Sequence, residues 1–365
     1  MRGPMARPIV IAAGGTGGHF FPAEALGAEL IARGHRIALM TDARSGGLDS
    51  TVFGGQERFV LKGAGIAGRG ALRGAKAAVA LAIGIAQARA ILSRIHAAAV
   101  IGFGGYPSVA PVLGARLVRA RPPVVLHEQN AVLGRANRFL SRHATTLALS
   151  FPATTRVPPG VRTTLTGNPV RGAVRPRPYE PGARLLVLGG SLGARVMSDV
   201  VPAALSLLSP ALRARLSVVQ QCRKEDLART ADRYAAAGIA AELSAFFPDI
   251  ADRLAAATLV IARAGASTVA ELGVAGRPAI LVPLPGAIDD HQSANARALA
   301  DAGAAWVMPQ PGLTPALLAT RVAELLEEPA TLARAAEAAQ AQARSDAAAK
   351  LADLVEALMR QEVRP

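Results

Sequence analysis

Ile9-Val10-Ile11-Ala12-Ala13-Gly14-Gly15-Thr16-Gly17-Gly18-His19-Phe20-Phe21-Pro22 decides how this chain is read. A short β-branched run, a glycine-dense turn and a helical pattern follow one another, which is the repeating unit of a parallel α/β sheet. Glycines let backbone amides come close to an anion or a sugar ring, and the helix N-terminus behind them adds a partial positive charge. Pro22 is expected in the first turn of that helix. The turn is not the G-x-G-x-x-G dinucleotide fingerprint, because Thr16 stands where a glycine is needed, although Asp42 lies at the spacing of a ribose-binding acid.

The same unit recurs along the chain. Strands are read at Pro8–Ala12, Arg36–Met40, Ala98–Ile101, Val124–His127 and Thr146–Ala148, and helices at Pro22–Arg33, Ala71–Ser93, Ser108–Arg119 and Leu133–Ser141. A second series has strands at Arg184–Leu188, Leu216–Val219, Ala241–Leu243, Leu259–Ala262 and Ala279–Val282, each followed by a helical segment. Two such series predict an α/β protein of two doubly wound, Rossmann-like domains facing a central cleft. Between them Gly167-Asn168-Pro169-Val170-Arg171 leads into the proline-dense stretch Arg175–Gly182, which can continue neither a helix nor an inner strand. The division expected is therefore 1–168, a linker 169–182, 183–345, and a closing helix 346–365 that could pack back on the first domain.

Composition narrows the class. With 365 residues, 51% of them hydrophobic, the chain can bury large cores, which excludes intrinsic disorder and a disulfide-stapled mini-protein. The single cysteine, Cys222, allows no internal disulfide and fits a reducing compartment, where it reads as a small buried hydrophobe. The net charge of +15 is lopsided: residues 1–170 carry 20 Lys/Arg against 6 Asp/Glu, and residues 171–365 carry 21 against 20. A cationic N-terminal half suits a polyanion or an anionic membrane surface. The apolar run Ile9–Ala13 is too short for a signal-peptide core, and Ala77–Ala86, at ten residues, falls short of the roughly 20 that a membrane span needs.

Further glycine turns follow other strands. Gly102-Phe103-Gly104-Gly105-Tyr106-Pro107-Ser108 and then His127-Glu128-Gln129-Asn130 sit at strand C-terminal ends, where open α/β sheets bind ligands. His19 and Glu128 are the plausible proton-transfer groups of this set, and each could equally be a hydrogen-bonded scaffold residue. In the second half Gly189-Gly190-Ser191-Leu192-Gly193-Ala194-Arg195 is a possible phosphate cradle. Arg263-Ala264-Gly265-Ala266-Ser267-Thr268-Val269-Ala270-Glu271 opens a helix whose Glu271 could cap it or accept both hydroxyls of a ribose. Asp289-Asp290-His291-Gln292 opens another, where an aspartate is also an ordinary N-cap.

The turn GGTGGH, the loop GFGGYPS, HEQN followed by AVLGRAN, the GNPVR linker, GGSLGAR, RAGASTVAE and DDHQ occur in the order and approximate spacing of the MurG transferases, and from about Ile9 to Glu328 the chain resembles that family. The resemblance implies a GT-B fold and transfer of N-acetylglucosamine from UDP-N-acetylglucosamine to undecaprenyl-pyrophosphoryl N-acetylmuramyl-pentapeptide, lipid I, giving lipid II for peptidoglycan synthesis. It implies an acceptor held by the N-terminal domain, with Gly104, Gly105 and Tyr106 on its loop. It places Thr16, Gly17 and Gly18 near the donor, Asn130 on its sugar, and Arg171 and Ser191 in the donor site. Phe247 falls at a backbone contact to uracil. Ala266, Ser267, Thr268, Val269, Ala270 and Glu271 would wrap pyrophosphate and ribose, with Gln292 on the sugar hydroxyls. Leu192 stands where many members have Gln, and His291 where some have a second Gln.

Such a transfer must stabilise departing UDP and deprotonate a hydroxyl. The chain has no Asp-x-Asp pair, so no metal and no cofactor are expected, and helix N-termini and amides would carry the charge. Attack by the muramyl 4-hydroxyl opposite UDP predicts inversion, with His19 preferred as general base and Glu128 second. Arg73 and Lys76, with Arg69 and Arg89, bracket Val79, Leu81, Ile83 and Ile85, which reads either as a core helix or as a patch that dips into an anionic bilayer. The expected location is peripheral, on the cytoplasmic face of the cell membrane, near other cell-wall and division proteins. Two other readings of the fold stay open at this point: a GT-B transferase with another lipid or natural-product acceptor, and a sugar-nucleotide epimerase needing no membrane patch. A nucleic-acid-binding protein would account for the charge, but no RNP-like motif, recognition helix or zinc-finger spacing is present, so no nucleic-acid partner is expected.

Overall fold

The computed structural model describes residues 7–14, 17–42, 50–62, 71–190 and 193–362, with backbone alone at 71–74 and 362. Thr16, Arg69 and Ser191 lie outside the described residues, as does the side chain of Arg73. The chain forms two compact units, Met1–Arg171 with Asp346–Pro365, and Gly172–Ser345.

The N-terminal unit is built on seven parallel strands: β1 (Ile9–Ala12), β2 (Ile37–Asp42), β3 (Glu57–Leu61), β4 (Ala99–Gly102), β5 (Val124–Glu128), β6 (Thr146–Leu149) and β7 (Thr163–Leu165). Their order is β3-β2-β1-β4-β5-β6-β7. β1 and β4 are buried at every position, which is why they read as unbroken apolar runs rather than alternating ones. The strand order reverses between β1 and β4, so the crevice for a ligand lies beyond their carboxyl ends. The edge strands β3 and β7 open on polar residues and are partly exposed, and neither is read from the sequence.

Helix α1 (Gly17–Ala32) begins directly at the glycine turn, which places Pro22 inside the helix rather than in its first turn as expected. Proline has no N–H, so the Gly18 carbonyl lacks its usual donor four residues on. α2 (Ala71–Arg94), α3 (Val109–Arg116) and α4 (Arg135–Leu140) complete the first pass. Ala88 and Leu92 of α2 are in the core, and Leu81 and Ile85 are half-buried against it. The expectation that no segment reaches membrane-spanning length needs correcting. Ala75–Arg94 is one helical stretch of 20 residues with a mean hydropathy of 1.5, long and apolar enough by length and composition alone, because its alanines continue the apolar run past Ala86.

The second unit repeats the plan with β8 (Arg184–Leu188), β9 (Ser217–Gln221), β10 (Ala240–Ser244), β11 (Leu259–Ala262), β12 (Ala279–Leu281) and β13 (Ala305–Val307), all parallel and ordered β10-β9-β8-β11-β12-β13. The order reverses between β8 and β11. Around the sheet lie α5 (Arg195–Ser206), α6 (Pro210–Arg215), α7 (Leu227–Ala236), α8 (Ile250–Ala256), α9 (Ala266–Ala275), α10 (His291–Asp301), α11 (Pro315–Glu327) and α12 (Pro329–Gln342). The buried Arg277 guanidinium donates to the Arg177 and Pro178 carbonyls of the proline-dense stretch and to those of Leu254 and Ala255, fastening that stretch to α8.

The last helix, α13 (Ala347–Glu362), belongs to the N-terminal unit. Its Leu351, Ala352, Val355 and Leu358 share one core with Ile9, Ile11, Leu26 and Leu30. Arg33, just past the end of α1, pairs with Asp353 at 2.6 Å and Glu356 at 3.3 Å, and His35 Nε2 lies 2.9 Å from Glu356.

Candidate functional site

In the N-terminal unit three loops meet at the carboxyl ends of β1, β4 and β5. Ser108 ties two of them together, its hydroxyl 3.2 Å from the Ala12 carbonyl and 2.9 Å from that of Gly104. Gly104 and Gly105 have φ of 81° and 65°, a left-handed conformation that suits glycine, and they turn the chain into the short helix Tyr106–Ser108. Gly17, Gly18 and His19 form the first turn of α1 beside this loop. A Cβ on Gly105 would come within 3.4 Å of His19 Nε2.

His19 Nδ1 is 2.9 Å from Gln129 Oε1. The Gln129 amide nitrogen is in turn 3.0 Å from the Phe103 carbonyl and 3.0 Å from His127 Nδ1. His127 is fully enclosed and donates through Nε2 to the Gly167 carbonyl at 2.9 Å. Burial pushes its imidazole down to about 4, against the smaller opposing pull of that carbonyl and of Glu128.

Glu128, at the end of β5, is buried and has both oxygens occupied. Oε1 accepts from Asn130 N and Nδ2 at 3.0 Å each, and Oε2 accepts from Gly134 N and Asn137 Nδ2 at 2.9 Å each. A carboxylate with four donors is built to hold the turn 128–134, and it fixes the Asn130 amide at the loop's tip. Arg171 stacks its guanidinium 4.8 Å from the Phe21 ring centre of α1.

The C-terminal unit gathers its own loops beyond β8, β10, β11 and β12. Gly189 admits no side chain: a Cβ there would lie 2.3 Å from Ala194 N, so only glycine lets the turn fold this tightly before α5. α9 starts at Ala266, and Ala266, Ser267, Thr268, Val269 and Ala270 form its first turns. The Ser267 hydroxyl is buried without a hydrogen-bond partner among the described residues, an orphaned polar group at a helix N-terminus. Asn295 of α10 holds this loop by donating to the Ala264 carbonyl at 3.1 Å, and Glu271 is buried one turn into α9. Gln292 Oε1 accepts from Leu284 N at 2.9 Å, next to Asp289 and Asp290 with φ of 56° and 53°. Consecutive left-handed aspartates are a strained pair, of the kind that collects at ligand loops.

Phe247 is buried beneath the Arg253 guanidinium, 4.2 Å from its ring centre, leaving its backbone as the part that can meet a ligand. Its neighbour Phe246 is 66% exposed, held out by a tight turn in which Ser244 Oγ donates to its carbonyl at 2.7 Å. Sequence reasoning passed over Phe246, His127 and Gln129. An adjacent Phe-Phe pair in a chain with 4% aromatics was the available signal for the first. The other two were visible only as part of His-Glu-Gln-Asn, whose side-chain directions the sequence does not give.

Along α2, Val79 is 60% and Ile83 42% exposed, one turn apart, with Lys76 and Arg89 also exposed. Leu81 and Ile85 face the other way, into the half-buried seam against the core, so the expected patch keeps two of its four apolar members on the surface.

Residues 9–149 match the glycosyltransferase family 28 N-terminal domain, and residues 184–351 match its C-terminal domain. The chain is 62% identical over 358 residues to the UDP-N-acetylglucosamine–N-acetylmuramyl-(pentapeptide) pyrophosphoryl-undecaprenol N-acetylglucosamine transferase of Granulibacter bethesdensis, covering 96% of this chain and 93% of that one. It is 53% identical over 370 residues to the protein of the same name from Acidiphilium cryptum, with both chains covered in full. Among solved structures, MurG of Acinetobacter baumannii matches with a TM-score of 0.78 at 32% identity, over 96% of this chain and 99% of that one.

Proposed function

The chain belongs to glycosyltransferase family 28, in the line of the N-acetylglucosamine transferases just named, and from that premise we propose how its residues carry out the transfer. It is a GT-B enzyme that moves N-acetylglucosamine from UDP-N-acetylglucosamine to the muramyl sugar of lipid I, forming lipid II. Those full-length relatives decide between this acceptor and the epimerase or natural-product alternatives.

His19 is the general base. Its Nε2 takes the proton from the muramyl 4-hydroxyl as that oxygen attacks the anomeric carbon from the side opposite UDP, inverting the α-linked donor to a β-linked product. Glu128 is a positioning residue, since its lone pairs are spent on four donors. Negative charge building on UDP is met by the N-terminus of α9, the orphaned Ser267 hydroxyl and the glycine turn before α5. Glu271 takes the ribose hydroxyls, Gln292 the sugar, the Phe247 backbone the uracil edge, and exposed Phe246 offers a ring for uracil to stack on. The family resemblance gives Thr16, Asn130 and Arg171 in the N-terminal unit and Ser191 in the C-terminal unit roles toward the donor, and Gly104, Gly105 and Tyr106 a role toward the acceptor.

An acceptor with an undecaprenyl tail keeps the enzyme at a bilayer. The exposed Val79–Ile83 side of α2, with Lys76 and Arg89 also exposed, is the face that docks on anionic lipid, making the protein peripheral to the cytoplasmic side of the membrane.

The observation that carries the mechanism is the His19 ring, held through Nδ1 with Nε2 turned toward an open glycine loop. The test is UDP release from UDP-N-acetylglucosamine with and without a short-chain lipid I analogue. Release only with the analogue, together with a β-linked disaccharide, supports the reading; donor binding without turnover of the analogue overturns the acceptor assignment.

A further inference from the structure

A general base must present a lone pair, and neutral imidazole has one. Which nitrogen carries it is set by what the other nitrogen bonds. For His19 that choice is made several residues away.

The Gly167 carbonyl can only accept, so the hydrogen of neutral His127 is on Nε2, 2.9 Å away, and its lone pair is on Nδ1. That lone pair at 3.0 Å, the Phe103 carbonyl at 3.0 Å and the His127 carbonyl at 3.2 Å all face one terminal atom of the Gln129 amide. An atom faced by three acceptors must be the donor, the NH2 nitrogen, and the amide cannot be turned over. The amide oxygen is then the atom 2.9 Å from His19 Nδ1, and being an acceptor it demands an N–H there. His19 is left with its lone pair on Nε2, the edge beside Gly105.

We propose that Gly167, His127 and Gln129 form a relay that fixes the tautomer and ring orientation of His19, with His127 and Gln129 acting as positioning residues for its proton transfer. The inference rests on His19 being the base. The relay starts in the Gly167-Asn168-Pro169-Val170-Arg171 run, so the segment that leaves the N-terminal unit is hydrogen-bonded through to the reacting imidazole. Every link is buried or half-buried, and a single amide converts a backbone carbonyl's requirement into the protonation pattern of a ring two side chains away.

The experiment is nitrogen NMR on the full chain labelled with 15N-histidine, the His19 signals being assigned by their loss in His19→Ala. Neutral His19 is expected to carry its proton on Nδ1. In Gln129→Leu, which keeps the bulk and removes both polar ends, His19 is expected to move to the Nε2–H form. The same variant should lose about ten- to a hundredfold in kcat, with KM for UDP-N-acetylglucosamine changed by less than about twofold. Native His19 protonated on Nε2 overturns the relay, and so does a Gln129→Leu protein that loses kcat with the tautomer unaltered. Should that variant fail to fold, the native spectrum decides alone. A His19→Ala enzyme with native turnover would remove the base assignment and leave the tautomer result standing, so the two failures are told apart.

Discussion

Asn137 Nδ2 lies 2.9 Å from Glu128 Oε2, with both side chains buried, and the bond ties the end of β5 to α4. Together with the three backbone and side-chain donors from Asn130 and Gly134 it leaves the carboxylate no role that a neutral amide could copy. Glu128→Gln turns an NH2 group toward one pair of these donors, so a loss of about 1–3 kcal/mol in unfolding free energy is expected. The acidic limb of the kcat/KM profile should survive in the residual activity. A fully stable variant without that limb would make Glu128 the base.

His19→Ala should lower kcat by about 10²–10⁴ while UDP-N-acetylglucosamine binds as before in titration calorimetry. Comparable losses in donor affinity and turnover would show that the ring holds substrate instead.

His127 gives stability a pH dependence of definite sign. In the folded chain its pKa is near 4, whereas the unfolded imidazole takes a proton near 6.5. Above that value both states are neutral and nothing is lost. As pH falls from 6.5 toward 4 the unfolded state binds the extra proton, and folding should weaken by up to about 3 kcal/mol from this group. Denaturant titrations of His127→Phe across this window should lack that share of the slope; an unchanged slope would assign it elsewhere.

Leu351→Ala removes a fully buried side chain from the core that α13 shares with β1 and α1. The N-terminal unit should lose about 2–5 kcal/mol. Hydrogen exchange should quicken in Ile9–Ala12 and hold steady in Leu259–Ala262; the reverse pattern would contradict the assignment of α13.

Val79→Asp with Ile83→Asp changes two exposed positions, so folding should be kept while binding to anionic vesicles falls at least about tenfold. Leu81→Asp, on the half-buried seam, should instead unfold the helix from its core. Vesicle binding unaffected by the double change would move the membrane face elsewhere on the molecule.

The inner strands were legible because a strand buried on both faces writes itself as an uninterrupted apolar run, as in Ile9–Ala12 and Leu259–Ala262. Edge strands write much less. Glu57–Leu61 and Thr163–Leu165 pair on one side only and open on polar, exposed residues, and Ala305–Val307 is three residues long, so polar starts and brevity hid all three. Pro22 misled because a proline in a helix is cheapest in the first turn, and here the glycine turn pulls the start of α1 back to Gly17. Both His19 and Glu128 could be picked out by residue type, but what separates them, one ring edge facing an open loop against two oxygens surrounded by donors, depends on Asn137 and Gln129 arriving from other turns. The division of α2 into an outer Val79–Ile83 side and an inner Leu81–Ile85 side likewise depends on what packs against it.

The return of α13 to the first unit has a bearing on how the protein is made. On a ribosome the chain emerges from its N-terminus, so β1 to β7 are all synthesised before Leu351, Ala352, Val355 and Leu358 exist to cover Ile9, Ile11 and their neighbours. The N-terminal unit must therefore wait, with one apolar face open, while the entire second unit is translated. A nascent chain cut short by even its last helix would leave that face uncovered, which makes it a ready substrate for chaperones and proteases and keeps half-made enzyme from accumulating.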